Sequence, residues 1–426
     1  MTEKIIAFFP EASYGAALNC LGIAQELRKQ GERPVFICHP GFHGVFAEYG
    51  FPEYRLFSEQ ESDDSANEVD WTKFVQRHRE AFRTSAFEQI DSYLAPTWEA
   101  IVSTAMRVEA PLRQLIQRLK PDAIVVDNVV TFPAVINSGI PWVRVVSCAE
   151  TEIADPNIPP YLSGCASTDR PCWSEFSVRY AAAIAPAQER YAVFLRSCGL
   201  VPYQNSEFME ASPWLNLLLA PKILRHTRKR ALDPAKFVFL EGCVRDQEPW
   251  QAPRFAAHND KPLVYTSFGS LGAMDIELFE RMIQVFAQLP YRFIINVGSW
   301  REHYQTTPDN IFLDSWFPQP SVVRESQLFI HHGGNNSFCE ALYFGVPSLI
   351  MPFCWDGHDN AQRAEETRVG KHLPRYDWSD KELQTAITSL IEDSAMHKRL
   401  QQNARHMQTS NGVNVAATAI LKILDK

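Results

Sequence analysis

Residues 328–340, LFIHHGGNNSFCE, gather two histidines, two glycines, two asparagines and a serine ahead of a helical pattern. Leu328 to Ile330 reads as a strand ending at His331-His332; the glycines turn the chain, and Asn336-Ser337 open a helix with Glu340 one turn on. A helix start offers unpaired N–H groups and the positive end of a dipole, and glycine lets an anion approach the backbone. The segment therefore suits a diphosphate. The same residues also fit a plain N-cap, Asn or Ser followed by Glu. Trp316 to Gln319, WFPQ, stands before this segment, and WDGHDNAQR, residues 355–363, follows it. In the N-terminal half, PDAIVVD brings Asp127 to the end of an apolar run, while Glu11 follows the first such run. His39 and His43 lie near predicted strand ends, although a lone histidine is more often packed or solvated.

The elements that must position these residues repeat one grammar. Ile5 to Phe9 is an apolar strand; LNCLGIAQELRKQG is a helix ending at Gly31, and PVFICH is a second strand. RLKPDAIVVDNVVTFPAVINSGIPWVRVVSC repeats it as helix end, strand, helix, strand. Periodicity lapses in EGCVRDQEPWQAPRFAAHNDKP, as in an interdomain linker, and then resumes with PLVYTSFGSLG, ELFERMIQVFAQL, YRFIINVG, NIFLDSWF and SQLFIHHGG. Continuous apolar strands alternating with helices predict α/β architecture: two doubly wound Rossmann-like domains facing across a cleft, with ligands at the strands' C-terminal ends. Between the first strands lies the acidic SEQESDDSANEVDW, then helical sequence whose Trp71, Phe74, Phe82, Phe87, Tyr93 and Trp98 suit a core. Glu150 to Trp214 shows no clear period and suggests helical loops lining a cleft.

Composition removes several classes of function. At 426 residues and 46% hydrophobic, the chain is too long for one ordinary core and too apolar for disorder. Its net charge of −9, with Lys and Arg dispersed, argues against a nucleic-acid partner. No stretch approaches the length of a membrane span and the N-terminus does not read as an export signal, so a soluble cytoplasmic protein is expected. The nine cysteines are scattered without zinc spacing and read as reduced thiols. No metal site and no resident cofactor are expected.

The three blocks in order, WFPQ, HHGGNNSFCE and PFCWDGHDNA, resemble the donor-binding signature of family 1 glycosyltransferases of the macrolide and flavonoid type. That resemblance implies the GT-B fold, with residues 1–245 binding the acceptor, 246–410 binding the nucleotide sugar and a helix in 411–426 packing back on the first domain. It implies inverting, metal-independent transfer of a sugar from a UDP- or dTDP-linked donor to a small, largely apolar acceptor. By the same correspondence Trp316 stacks on the base and Gln319 sits near base or ribose. His332, Gly334, Asn336 and Ser337 hold the diphosphate, Glu340 accepts from the ribose hydroxyls, Ser267, Gly269 and Ser270 form the loop beneath the phosphates, and Asp356 contacts the sugar.

Two departures stand out. The family's Asp-Gln pair is here Asp356-Gly357, so an amide that would bond sugar hydroxyls is missing; the sugar is then unusual, or Asp359 and His358 compensate. The family's Gly-His pair, whose His is the general base, aligns with Gly15-Ala16, and alanine accepts no proton. Asp127, where the His-orienting Asp belongs, and Glu11 become the candidate bases. An acceptor that needs little deprotonation is a further explanation. The rival functions are a catalytically silent binding or auxiliary protein of the same fold and a sugar-nucleotide epimerase.

Overall fold

Strand β1 (Ile5–Pro10) sends Ile6 and Phe8 to one face and Ala7 and Phe9 to the other, all four fully buried. A strand covered on both faces belongs inside a parallel sheet packed between helices. The computed structural model describes residues 3–57, 71–203 and 207–425; most of the acidic SEQESDDSANEVDW segment lies outside them. Strands β2 (Arg33–Cys38), β3 (Glu53–Arg55), β4 (Ala123–Asp127), β5 (Trp142–Val146), β6 (Leu215–Leu219) and β7 (Phe237–Leu240) complete a parallel sheet in the order β3-β2-β1-β4-β5-β6-β7. A second parallel sheet, from β8 (Leu263–Ser267), β9 (Arg292–Asn296), β10 (Ile311–Asp314), β11 (Leu328–His331), β12 (Ser348–Ile350) and β13 (Gly370–His372), runs β10-β9-β8-β11-β12-β13. These are the two doubly wound domains that the strand–helix alternation predicts. In each sheet the order reverses at one point, between β1 and β4 and between β8 and β11, where such folds open a crevice for ligands.

The helices that set the site are α1 (Tyr14–Lys29), α2 (Ala95–Leu119), α3 (Arg170–Ser197), α4 (Ile276–Phe286), α5 (Gln319–Glu325), α6 (Asn335–Phe344), α7 (Gly357–Glu366), α8 (Asp380–Glu392), α9 (Ser394–Ser410) and α10 (Gly412–Leu424). Ile6, Phe8 and Phe36 pack with Ala17, Leu21 and Ile23 of α1 and with Ala416 and Ile420 of α10, so the C-terminal helix lies on the first sheet. Ala7 and Phe9 pack instead on Trp98, Val102 and Leu112 of α2 and Ile184 of α3. Of the aromatic series, Phe74, Phe82 and Tyr93 share a cluster with Phe353 of the second domain, Phe87 packs at its margin, and Trp98 stacks on Phe208 at 4.2 Å between ring centroids.

Two expectations are corrected. Glu150 to Trp214 is not a set of loops alone, because α3 occupies 28 of its residues, started by Asp169, whose side chain accepts from the Cys172 N–H. Its period is blurred because the outward face carries Val178 and Val193, 74% and 56% exposed, and Pro186 lies inside the helix. The cysteines are not all separate thiols. The loop running into α3 doubles back until the Cys165 and Cys172 Cα atoms stand 6.1 Å apart, and their sulfurs are bonded. Among the described residues no helix is long and apolar enough to cross a membrane.

Candidate active site

At the switch point of the second sheet, β11 ends in His331, whose Nδ1 accepts the Gly333 N–H at 3.1 Å. Gly333 has φ +90°, and a Cβ there would lie 2.7 Å from the Gly357 carbonyl oxygen. A Cβ on Gly334 would lie 2.5 Å from His332 Nε2, and one on Gly269 3.2 Å from His332 Cε1, so the imidazole fits between two bare backbones. Its Nδ1 is buried and has no hydrogen-bond partner among the described residues. Burial, with the Arg375 charge adding to it, lowers the His332 pKa to about 4, so the ring is neutral at pH 7. The N-cap residue of α6, Gly334, has no side chain to bond the first turn; Asp356 takes only the Asn335 N–H, at 3.3 Å, which leaves the N–H groups of Asn336 and Ser337 for a ligand. Ser267 ends β8, buried, across the switch point from β11; Gly269 follows in the left-handed region, and the Ser270 side chain lies outside the described residues.

Gln319, Asn336, Ser337 and Glu340 join in one network. Gln319 Nε2 donates to Ser337 Oγ at 3.1 Å and to Glu340 Oε2 at 2.7 Å, and Asn336 Nδ2 donates to Glu340 Oε1 at 3.3 Å. The fifth member, Arg245, comes from the linker with no local motif to mark it; its Nη1 donates to Glu340 Oε1 at 2.8 Å, and both side chains are buried. Trp316, beside this network in sequence, is 63% exposed, so its ring is open to stacking.

Trp355, held at φ +54°, carries the chain into α7 and turns the Asp356 carboxylate toward α6 instead of capping its own helix. Asp356 Oδ2 accepts from the Asn335 N–H at 3.3 Å and from Asn360 Nδ2 at 3.2 Å. Burial, then the nearby Asp359 carboxylate, pushes its pKa up to about 8. The expected compensation for Gly357 is not built. Asp359 instead accepts from Thr151 Oγ1 at 2.6 Å, the Leu162 N–H at 2.9 Å and the Gly164 N–H at 2.8 Å, all in the first domain. His358 Nε2 sits 3.3 Å from Gln89 Oε1, also of that domain. Both residues face the first domain rather than the space beside Gly357. Asn335 reinforces the junction, its Nδ2 reaching the Ser147, Cys148 and Leu219 carbonyls at 2.9, 3.2 and 2.9 Å.

The absent glutamine also has a steric cause. A Cβ on Gly357 would come within 2.6 Å of the His332 carbonyl oxygen. Gly357→Gln is therefore expected to destabilise the protein by about 1–3 kcal/mol, as overpacking does, measured as a lower thermal midpoint. An unchanged midpoint would show that the α6 and α7 starts separate readily.

In the first domain Pro10 of β1 pairs in register with Asp127 of β4, so both candidate bases stand at neighbouring strand ends. Asp127 is 3% exposed, and its oxygens accept from Ser147 Oγ at 2.7 Å and, weakly, Cys20 Sγ at 3.8 Å. Burial chiefly, with the Glu11 and Glu152 charges adding, raises its pKa well above the carboxylate range. Glu11 is half-buried; Oε1 accepts from Ser13 Oγ at 2.7 Å, and Oε2 has no hydrogen bond among the described residues. Burial, with Glu152 adding, raises its pKa. Ser13 caps α1 by accepting the Ala16 N–H at 3.4 Å, which ties Glu11 to the turn that holds the histidine-less position. His39 is buried against Phe9, with burial first and the Arg107 charge second lowering its pKa to about 4, and His43 lies outward beside Arg55 and Glu53. Neither meets Glu11 or Asp127 in a hydrogen bond among the described residues.

The sequence profile of the Erythromycin biosynthesis protein CIII-like C-terminal domain family matches residues 280–421. The oleandomycin glycosyltransferase of Streptomyces antibioticus is 22% identical over 98% of this chain and 90% of its own. The NDP-glycosyltransferase YjiC of Bacillus licheniformis is 27% identical over 52% of this chain, a match that spans only 56% of that relative. Among solved structures, glycosyltransferase VinC in complex with dTDP superposes with a TM-score of 0.68 at 13% identity, covering 99% of each chain, which bears on the fold alone.

Proposed function

Because the chain belongs to the family 1 glycosyltransferases of GT-B fold and macrolide type, we propose that it moves a sugar from a dTDP- or UDP-linked donor to a small, largely apolar acceptor, inverting the anomeric carbon. The observation that carries this proposal is the diphosphate seat: the start of α6, whose N-cap is a bare glycine, the glycine-flanked His332 ring and the Gln319–Glu340 network, all at the β8/β11 switch point. The base stacks on Trp316, and the ribose diol replaces Gln319 as the partner of Glu340. The absence of an amide at Gly357 favours a sugar with fewer hydroxyls there, such as a deoxysugar.

Opposite this seat, Glu11 takes the proton from the acceptor hydroxyl. The acceptor oxygen forms its bond to the anomeric carbon as the bond to the diphosphate oxygen breaks, and the negative charge gathers on the leaving group. The α6 dipole and the His332 N–H stabilise that charge without a metal ion. Glu11 is the better base because it is half-buried with an unengaged oxygen, whereas Asp127 is enclosed and engaged at both. Aromatic side chains at the domain junction, Phe82, Phe353, Trp98 and Trp355, suit an apolar acceptor.

Calorimetric titration tests the seat. Wild type should bind dTDP or UDP, and His332→Ala should weaken binding by about 1–3 kcal/mol, the range for a hydrogen bond to a charged group. Binding of neither nucleotide would overturn the donor site. Nucleotide binding without transfer to any acceptor would favour the silent auxiliary protein, and donor consumption without an acceptor would favour the epimerase.

A further inference from the structure

Arg375 lies between β13 and α8 and is 4% exposed. Its guanidinium is held between the Phe268 and Phe353 rings, 4.4 and 4.8 Å from their centroids. Nη2 donates to the Gly272 carbonyl at 3.1 Å, and Nε donates to Tyr376 Oη at 3.2 Å with Asp275 Oδ2 at 3.7 Å. Nη1 is buried and has no hydrogen-bond partner among the described residues. Phe268, Gly269 and Gly272 belong to the loop leaving β8, and Gly269 lies against the His332 ring. Phe353 packs beside that same ring, at 5.6 Å between centroids. This N–H thus belongs to a fixed cation that shares one wall, Phe353, with His332 and packs its other face on Phe268, next in sequence to the Gly269 that lies against the same imidazole.

A cation between two rings is already favourable without hydrogen bonds, but that does not satisfy a buried N–H. The diphosphate seat, for its part, has no positive charge free of a carboxylate among the described residues: His332 is neutral, Arg245 is paired with Glu340, and the α6 start contributes only a dipole. A guanidinium presents its donors in a planar fork that matches phosphate oxygens. We propose that Arg375 is a further donor-site residue whose unpartnered Nη1–H binds a β-phosphate oxygen of the nucleotide diphosphate. This assignment rests on the donor site proposed above. It gives the leaving group a cation already in place before the sugar departs.

The test titrates the full chain and its Arg375→Met and Arg375→Lys variants with dTDP and dTMP, which lacks the β-phosphate. Arg375→Met should bind dTDP about 10- to 100-fold more weakly while binding dTMP within about twofold of wild type, with Arg375→Lys in between. Thermal midpoints identify any variant that fails to fold, and the wild-type preference for dTDP over dTMP then serves as the second readout. If wild type binds dTDP no better than dTMP, no residue reads the β-phosphate and the assignment falls. If wild type prefers dTDP and a folded Arg375→Met keeps that preference, Arg375 alone is excluded and the donor site stands. If wild type binds neither nucleotide, the donor site itself fails.

Discussion

Glu11→Gln is expected to cut sugar transfer by about 10²–10⁴, the range for losing a general base, while leaving dTDP affinity within about twofold. The amide keeps the shape of the carboxylate and can still accept from Ser13 Oγ, so the fold around α1 should survive. The pH profile gives a second readout. A base acts only when deprotonated, and burial raises the Glu11 pKa, so kcat/KM should fall as pH drops through a value above the ordinary carboxylate range. That acidic limb should disappear in Glu11→Gln. Asp127→Asn is the control: Asp127 is enclosed, with one oxygen hydrogen-bonded to Ser147 and the other to Cys20, so it has no oxygen left for an acceptor and its replacement should cost less than about tenfold. A large loss in Asp127→Asn with near-normal activity in Glu11→Gln would reverse the assignment.

These outcomes show which features sequence can carry. The strands were legible because burial on both faces imposes continuous apolar runs such as IIAFF and AIVVD, and the strand–helix alternation then restricts the topology. The donor residues were legible as a group because Trp316, Gln319, His332, Asn336, Ser337 and Glu340 lie within one strand–helix stretch, where spacing fixes proximity. What depends on chains meeting from afar was not legible. Arg245 is one arginine in a Pro- and Gln-rich linker until folding brings it to Glu340, and Arg375 acquires its place from two rings of other loops. The loss of an amide at Gly357 was visible, but its steric cause needs the His332 carbonyl beside it. Asp359 and His358 lie near enough in sequence to suggest compensation, yet α7 turns both toward the first domain.

Arg245→Met is expected to be among the most destabilising single substitutions in the chain. Arg245 and Glu340 are 7% and 1% exposed, and their 2.8 Å contact joins the linker to α6. Removing the guanidinium leaves a carboxylate with only the Gln319 and Asn336 amides for company, too little to replace water. Breaking a buried pair from one side costs about 3–5 kcal/mol, which for a domain of this size lowers the thermal midpoint by roughly 6–20 °C. The linker has little room to relax: a Cβ on Gly412 at the start of α10 would stand 2.1 Å from the Gly242 carbonyl oxygen, so the chain just before Arg245 is pinned under that helix. The double variant Arg245→Met/Glu340→Gln separates charge from packing. If the uncompensated carboxylate is the cause, the double variant should recover most of the lost midpoint, because a neutral amide needs no cation. If it stays as unstable as the single variant, the guanidinium acts through its contacts with the linker, and the electrostatic account of this pair is wrong.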